Sequence, residues 1–200
     1  MARPRTHSDE KILATVRQLL LEGGHRAVTT AAVSDRSGAP IGSVYHRFPS
    51  RDAMVAELWI RTIGHFHSFL LNAASDAPPG MDRALAVAAA TIDYASKHPD
   101  NARLLAMANR AELRADPNLP SDTRSALEVL NRPVEQLSMQ LAQELYGADP
   151  DRSALDRVGL AAFGVPYTVV RQRLQQDLDP SDLQPLVAKT VRAILEPEDR

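Results

Sequence analysis

The chain of 200 residues contains no cysteine, so disulfide staples and thiolate chemistry are both excluded, and nothing ties it to an oxidising compartment. It also lacks an apolar run long enough to span a bilayer, and its basic first residues are followed by Ser8, Asp9 and Glu10 where a signal peptide needs an apolar core. The expected location is therefore the cytoplasm. Glycine-rich phosphate loops, a nucleophile elbow and an H-E-x-x-H zinc signature are absent as well, which leaves enzymatic activity with little support. An all-α enzyme remains a distant alternative without any acid-base or nucleophile constellation. Histidines are few and scattered; His65 and His67 lie two apart on a helical pattern, point about 200° from each other and are assigned to surface or pocket edge. No metal site and no cofactor are expected.

What the chain does have is apolar content of 44%, enough for one or two compact units with a substantial core. Charge is unevenly spread. Residues 1–52 carry eight Arg/Lys against five Asp/Glu, whereas residues 53–200 carry fifteen against twenty. Only the front of the chain is suited to a polyanion. Arg3 and Arg5 read equally as an arm for the minor groove or as a frayed terminus.

The densest signal is Thr29 to Ser50, TTAAVSDRSGAPIGSVYHRFPS. Thr29 suits the N-cap of a short helix carrying Ala31, Ala32, Val33 and Ser34. Gly38 follows where a chain leaving a helix needs a left-handed residue. Pro40 suits the start of a second helix, Ile41 to Phe48, because its missing N–H is not needed there. Val44 and Phe48 lie four apart and pin this helix inward, leaving Ile41, Gly42, Ser43, Tyr45, His46 and Arg47 outward. Hydroxyls, aromatic rings and a guanidinium on one face can meet phosphates and base edges in a major groove. A preceding helix near 8–22, capped by Ser8 and ended by Gly23-Gly24, places Ile12, Leu13, Val16, Leu19 and Leu20 at helical spacing and completes a three-helix unit.

This segment resembles the N-terminal domain of the tetracycline-repressor (TetR) family of bacterial transcription regulators. The family pattern runs helix, glycine-aromatic pair, A-T/S-x-x-x-I-A-x-x-A-G-V, then S-x-G-S/T-L-Y-x-H-F-x-S/N-K-E/D-x-L. Matching positions are Gly24-His25, Ala27 to Thr29, Val33, Gly38, Gly42-Ser43-Val44-Tyr45, Phe48, Ser50-Arg51-Asp52 and Met54. Departures are Ile41 where many relatives carry lysine or another polar group, Ala31 for a common arginine, Ser34 and Ser37 for alanines, and Ala32 for the acid of a capping box. Arg3, Arg5, Arg47 and Arg51 remain to meet the backbone. The resemblance implies DNA contacts from Thr29, Thr30, Pro40 and Ile41, together with Gly42, Ser43, Tyr45, His46 and those arginines.

Beyond residue 52 strand-like alternation is scarce, and breakers recur at helix-length intervals, so the remainder reads as a helical bundle. Helices are expected near 52–74, 82–97, 100–114, 121–146, 151–176 and 181–195. Aromatics form only 4% of the chain, yet the first of these helices holds Trp59, Phe66 and Phe69 beside Thr62 and Ile63. Such a stripe is ordinary core unless it walls a cavity. The family resemblance implies an effector pocket, to which Tyr94, Met107, Phe163, Tyr167 and Arg171 are assigned as further contacts. Pro166 inside a helical pattern frees the carbonyl of Ala162 and predicts a kink; Pro133 raises the same expectation in the preceding helix.

The last two long helices present apolar faces: Leu155, Val158, Ala162, Val165 and Val169 on one, Leu183, Leu186, Val187, Thr190, Val191 and Ile194 on the other. Either they close the monomer's own core or, as the resemblance implies, they meet a two-fold mate and set paired recognition helices roughly 34–36 Å apart. The resulting expectation is an all-α homodimer of about nine helices. Residues 1–52 hold double-stranded operator DNA, and residues 53–200 bind a small-molecule effector and dimerise. The expected function is a ligand-responsive repressor. A small-molecule-binding protein of the same fold with little specific DNA affinity is the alternative, motivated by the missing charges at Ile41 and Ala31.

Overall fold

A computed structural model describes residues 9–107 and 119–196. The Ser8 cap, Arg3, Arg5 and the end of the helix expected over 100–114 lie outside the described residues. Helix α1 (Asp9–Ala27) buries Ile12, Leu13, Val16, Leu19 and Leu20, the spacing that directs one face inward. It runs past the expected stop at Gly23-Gly24. Gly24, at φ 64 and ψ −164, breaks the helical path, and a last turn resumes before Val28 enters the core with no exposure.

Helices α2 (Thr30–Ser37), α3 (Ile41–Arg47) and α4 (Arg51–Asp76) follow. The bundle continues with α5 (Met81–Lys97), α6 (Pro99–Met107), α7 (Ser121–Val129) and α8 (Arg132–Tyr146). The expected single helix over 121–146 is interrupted at Leu130 and Asn131, since Pro133 occupies the first turn of α8 instead of the interior of a longer helix. Next come α9 (Arg152–Val158), a π-helical segment (Gly159–Gly164), α10 (Val165–Gln175), a 3-10 turn (Ser181–Leu183) and α11 (Gln184–Leu195). Among the described residues the protein is all helical.

Where Pro166 predicts a kink, the helix widens into the π-helical segment. The Val165 N–H donates to the Leu160 carbonyl, one residue further back than in an α-helix. Widening the turns ahead of Pro166 is how the helix accommodates a residue with no N–H to give.

The described residues form two compact units: 9–63 with 107 and 119–130, and 64–106 with 131–196. The first takes in the leading half of α4 and also α7, elements that the functional division at residue 52 assigned to the body. In it α1 packs on α2 and α2 on α3.

In the second unit α5 is central, packed against α10, α11 and the π-helical segment. Its loop to α4 is pinned by Arg83, which donates to the Ala74 carbonyl at 2.8 Å and the Ala77 carbonyl at 3.2 Å and pairs with Glu144 of α8. Glu144 also accepts from the Gly80 N–H at 2.8 Å and from Gln140 at 2.9 Å. Burial pushes the Glu144 carboxyl up, but those donors and the Arg83 guanidinium outweigh it and hold the group below the ordinary carboxylate value.

The terminal helices' apolar faces divide between the core and the surface. Val158, Ala162, Val187 and Val191 are buried in the single chain, all within its own core. These four therefore present no surface in the single chain. Leu155, Val169, Leu183, Thr190 and Ile194 are half-buried. The outward apolar side chains on these elements are Leu160, Tyr167 and Leu186, 55%, 38% and 59% exposed. The most continuous stripe on each helix went to the chain's own core, which claims apolar area first.

Candidate nucleic-acid interface

The turn between α2 and α3 is built by local hydrogen bonds. Thr29, extended at φ −122 and ψ 152, accepts the Ala32 N–H on its hydroxyl at 3.1 Å and so caps α2. Gly38 closes the helix in the left-handed region, φ 72 and ψ 7, with its N–H on the Ser34 carbonyl. Two serines to which sequence reading gave no hydrogen-bonding role complete the corner. The Ser34 hydroxyl donates to the Ala39 carbonyl at 2.7 Å, and buried Ser37 accepts the Ala39 N–H at 3.2 Å. A short hydroxyl in the last turn before a glycine was the available signal. Ser50, likewise not singled out as a cap, accepts the Ala53 N–H at 3.0 Å and starts α4. Its place after Pro49 and before an apolar helix was the clue.

Pro40 stands outside the first turn of α3, its carbonyl accepting from Ser43 at 2.8 Å and Val44 at 3.2 Å. Val44 has no exposure and Phe48 only 7%. Their burial contributes about 1.5–3 kcal/mol each and decides which side of a seven-residue helix turns inward. Pro40, Ile41, Gly42, Tyr45 and His46 are then exposed, with Ser43 half-buried. Thr29 is exposed and Thr30 half-buried at the start of α2. These residues are the outward positions at the start of α2 and along α3.

Arg47 is placed differently from the expectation that it faces outward. Its Nη1 lies 3.1 Å from Asp9 Oδ1 on the first turn of α1, and its side chain is 22% exposed. Arg61 of α4 approaches the other oxygen of Asp9 at 3.9 Å. Asp9 thus ties the end of α3 to the start of α1, a link between residues too distant in sequence for spacing to reveal. Arg51 is exposed and bonded at 2.8 Å to Asp52. Arg36 of α2 forms a two-point pair with Glu22 of α1, one bond at 2.6 Å.

Of the residues assigned to an effector pocket, Trp59, Thr62 and Ile63 are buried in the first unit, Thr62 donating to the Leu58 carbonyl at 2.8 Å. Phe66, Phe69 and Tyr94 come together in the second unit, with ring centroids 4.9 and 5.5 Å from Tyr94. Tyr94 is 1% exposed, and its hydroxyl meets His65 Nδ1 at 3.1 Å and Asn101 Nδ2 at 3.2 Å. His98 joins edge-on to His65 at 4.8 Å; burial, then the charges of His65 and Lys97, lower its pKa below the usual imidazole value. His67 is buried, not a surface residue. Phe163 is half-buried, while Met107, Tyr167 and Arg171 are exposed. Among the described residues no group of three or more His, Asp or Glu side chains is placed to hold a metal ion, and no helix is long and apolar enough to cross a membrane.

Residues 12–58 match the family described as bacterial regulatory proteins, tetR family. No curated protein matches the chain in sequence. Its fold is similar to that of the transcriptional regulator FadR from Bacillus subtilis in complex with stearoyl-CoA, at 12% identity over 94% of this chain and 100% of that one, TM-score 0.73. It is similar to a regulatory protein in the tetR family from Rhodococcus RHA1, at 14% identity over 96% and 98%, TM-score 0.73. It is also similar to the ketosteroid transcriptional regulator KstR2 of Mycobacterium tuberculosis, at 17% identity over 99% and 100%, TM-score 0.71.

Proposed function

We propose, for a chain whose N-terminal domain is that of the tetR-family bacterial regulatory proteins and whose whole fold is that of such regulators, that it represses transcription by holding operator DNA and lets go when a small molecule binds. The observation that carries this is the division of α3. Val44 and Phe48 are enclosed while Tyr45 is 55% exposed, with His46 and Ile41 beside it, so a short helix offers its whole outer side to a groove. Tyr45 and His46 face base edges and phosphate. Ser43, Thr29, Thr30 and Arg51 hold the backbone, and Arg47 acts through Asp9 to fix the helix in place.

The effector binds in the second unit. Two neighbours of similar fold are a FadR bound to stearoyl-CoA and a regulator named for ketosteroids. Together with the Phe66, Phe69 and Tyr94 cluster they support an effector with an apolar body. Release requires that this molecule bind better to a form whose recognition helices are misplaced. Dimerisation uses the outward residues Leu160, Tyr167 and Leu186, which are apolar and exposed in the single chain.

Fluorescence anisotropy of the full chain on duplexes from the region beside its own gene tests the reading. A sequence-selective isotherm that weakens with salt supports it. Equal, feeble binding to every duplex at low salt overturns it in favour of a small-molecule-binding protein of the same fold.

A further inference from the structure

Resting on the DNA-binding reading above, we infer that Ile41 and Tyr45 form an apolar ridge that reads thymine methyl groups in the major groove, so that each half of the bound duplex is specified by thymine at the ridge. The side chains that read bases by paired hydrogen bonds are arginine and lysine on guanine, and asparagine and glutamine on adenine. Within α3 (IGSVYHR) the only one of these is Arg47, and Asp9 holds it at 3.1 Å with little exposure. Ser43 and His46 supply single hydrogen bonds, which several base edges satisfy equally. Paired readout of guanine or adenine from the middle of this helix has no donor set.

What the helix does present is carbon. Ile41 is 50% and Tyr45 55% exposed, and four-residue spacing stacks them on one side. Between them Gly42 has open space around the position a Cβ would take. A groove wall can therefore approach the ridge closely. The one feature of a base pair that rewards apolar contact in the major groove is the thymine C5 methyl. Cytosine and uracil present none.

The test begins by selecting duplexes from a randomised pool with the full chain. Each thymine of the selected site is then replaced by deoxyuridine, and affinities are measured for the native protein and for Ile41→Ala. Ile41 is half exposed, so its truncation leaves the fold intact, which a thermal melt checks, and the uracil substitution leaves the protein untouched. The native chain is expected to bind about fourfold more weakly for each contacted methyl removed, with the change vanishing in Ile41→Ala at the thymines nearest Ile41 and persisting at those Tyr45 reads. A selected site in which no uracil substitution matters, or in which Ile41→Ala keeps the same sensitivity at every thymine, overturns the ridge while leaving DNA binding in place. Failure to select any site overturns the underlying reading and the ridge with it.

Discussion

Replacing Gly42 by alanine separates stability from binding. Gly42 sits in the first turn of α3, and its backbone is not among the positive-φ glycines. A Cβ built there meets nothing within 4 Å, so neither conformation nor packing within the protein requires glycine. A glycine in a helix costs about 0.5–1 kcal/mol relative to alanine through the freedom it loses on folding. Gly42→Ala is therefore expected to stabilise the protein by about that amount, read as a rise of about 2 °C in Tm for a chain of this size. The added methyl projects toward the groove. Operator affinity is expected to fall about tenfold or more, equivalent to about 1.4 kcal/mol, in an anisotropy titration at fixed salt. Gly64→Ala is the control: it lies within α4, has the same open surroundings, and should gain stability without changing affinity. Unchanged affinity in Gly42→Ala would refute the placement of this turn against DNA, and a lowered Tm would refute the claim that the protein itself does not need the glycine.

Tyr45→Ala is expected to weaken operator binding by about 1–3 kcal/mol with no change in the melting curve, because the ring is 55% exposed. Leu160→Glu or Leu186→Glu should convert a dimer to folded monomer in sedimentation velocity. Val191→Asp, which places a charge in the single chain's own core, should instead unfold the protein, costing more than about 4 kcal/mol. Glu144→Gln should remove part of the acid sensitivity of the second unit. Because the folded-state carboxyl is held below its ordinary value of 4.5, its contribution is fully present above that value and is lost as pH falls through the lower folded one. Chemical denaturation at pH 7 and at successively lower pH should show the native chain losing stability faster than the variant below about pH 4.5, and parallel pH profiles would refute the role given to Glu144.

Legibility followed the range of the interactions involved. The Thr29 cap, the left-handed Gly38 and the inward pair Val44 and Phe48 are set by neighbours within a turn or two, so residue spacing was enough to find them. Arg47 faced outward by the same spacing, yet Asp9 draws it back, since an ion pair across the three-helix unit leaves no periodic trace. The terminal helices failed for another reason. They carry apolar residues on more than one side, and periodicity finds the stripes without saying which one the chain encloses. Val158, Ala162, Val187 and Val191 made the best stripes and are the core, while Leu186, on the same apolar face by spacing, and Leu160 stay outside it. Pro166 announced a disturbance but not that a π-helical segment would absorb it. The ring cluster around Tyr94 joins α4, α5 and the start of α6 through contacts that no single-helix pattern encodes.

Hydroxyl-radical and guanine-methylation footprints of the full chain on a selected duplex test the central claim, that the outer side of α3 enters a major groove. The account predicts two patches of major-groove protection related by two-fold symmetry and about one helical turn, roughly 34–36 Å, apart, both weakened by Tyr45→Ala at the same protein concentration. Protection confined to the minor groove, or a footprint that Tyr45→Ala leaves unaltered, would contradict it.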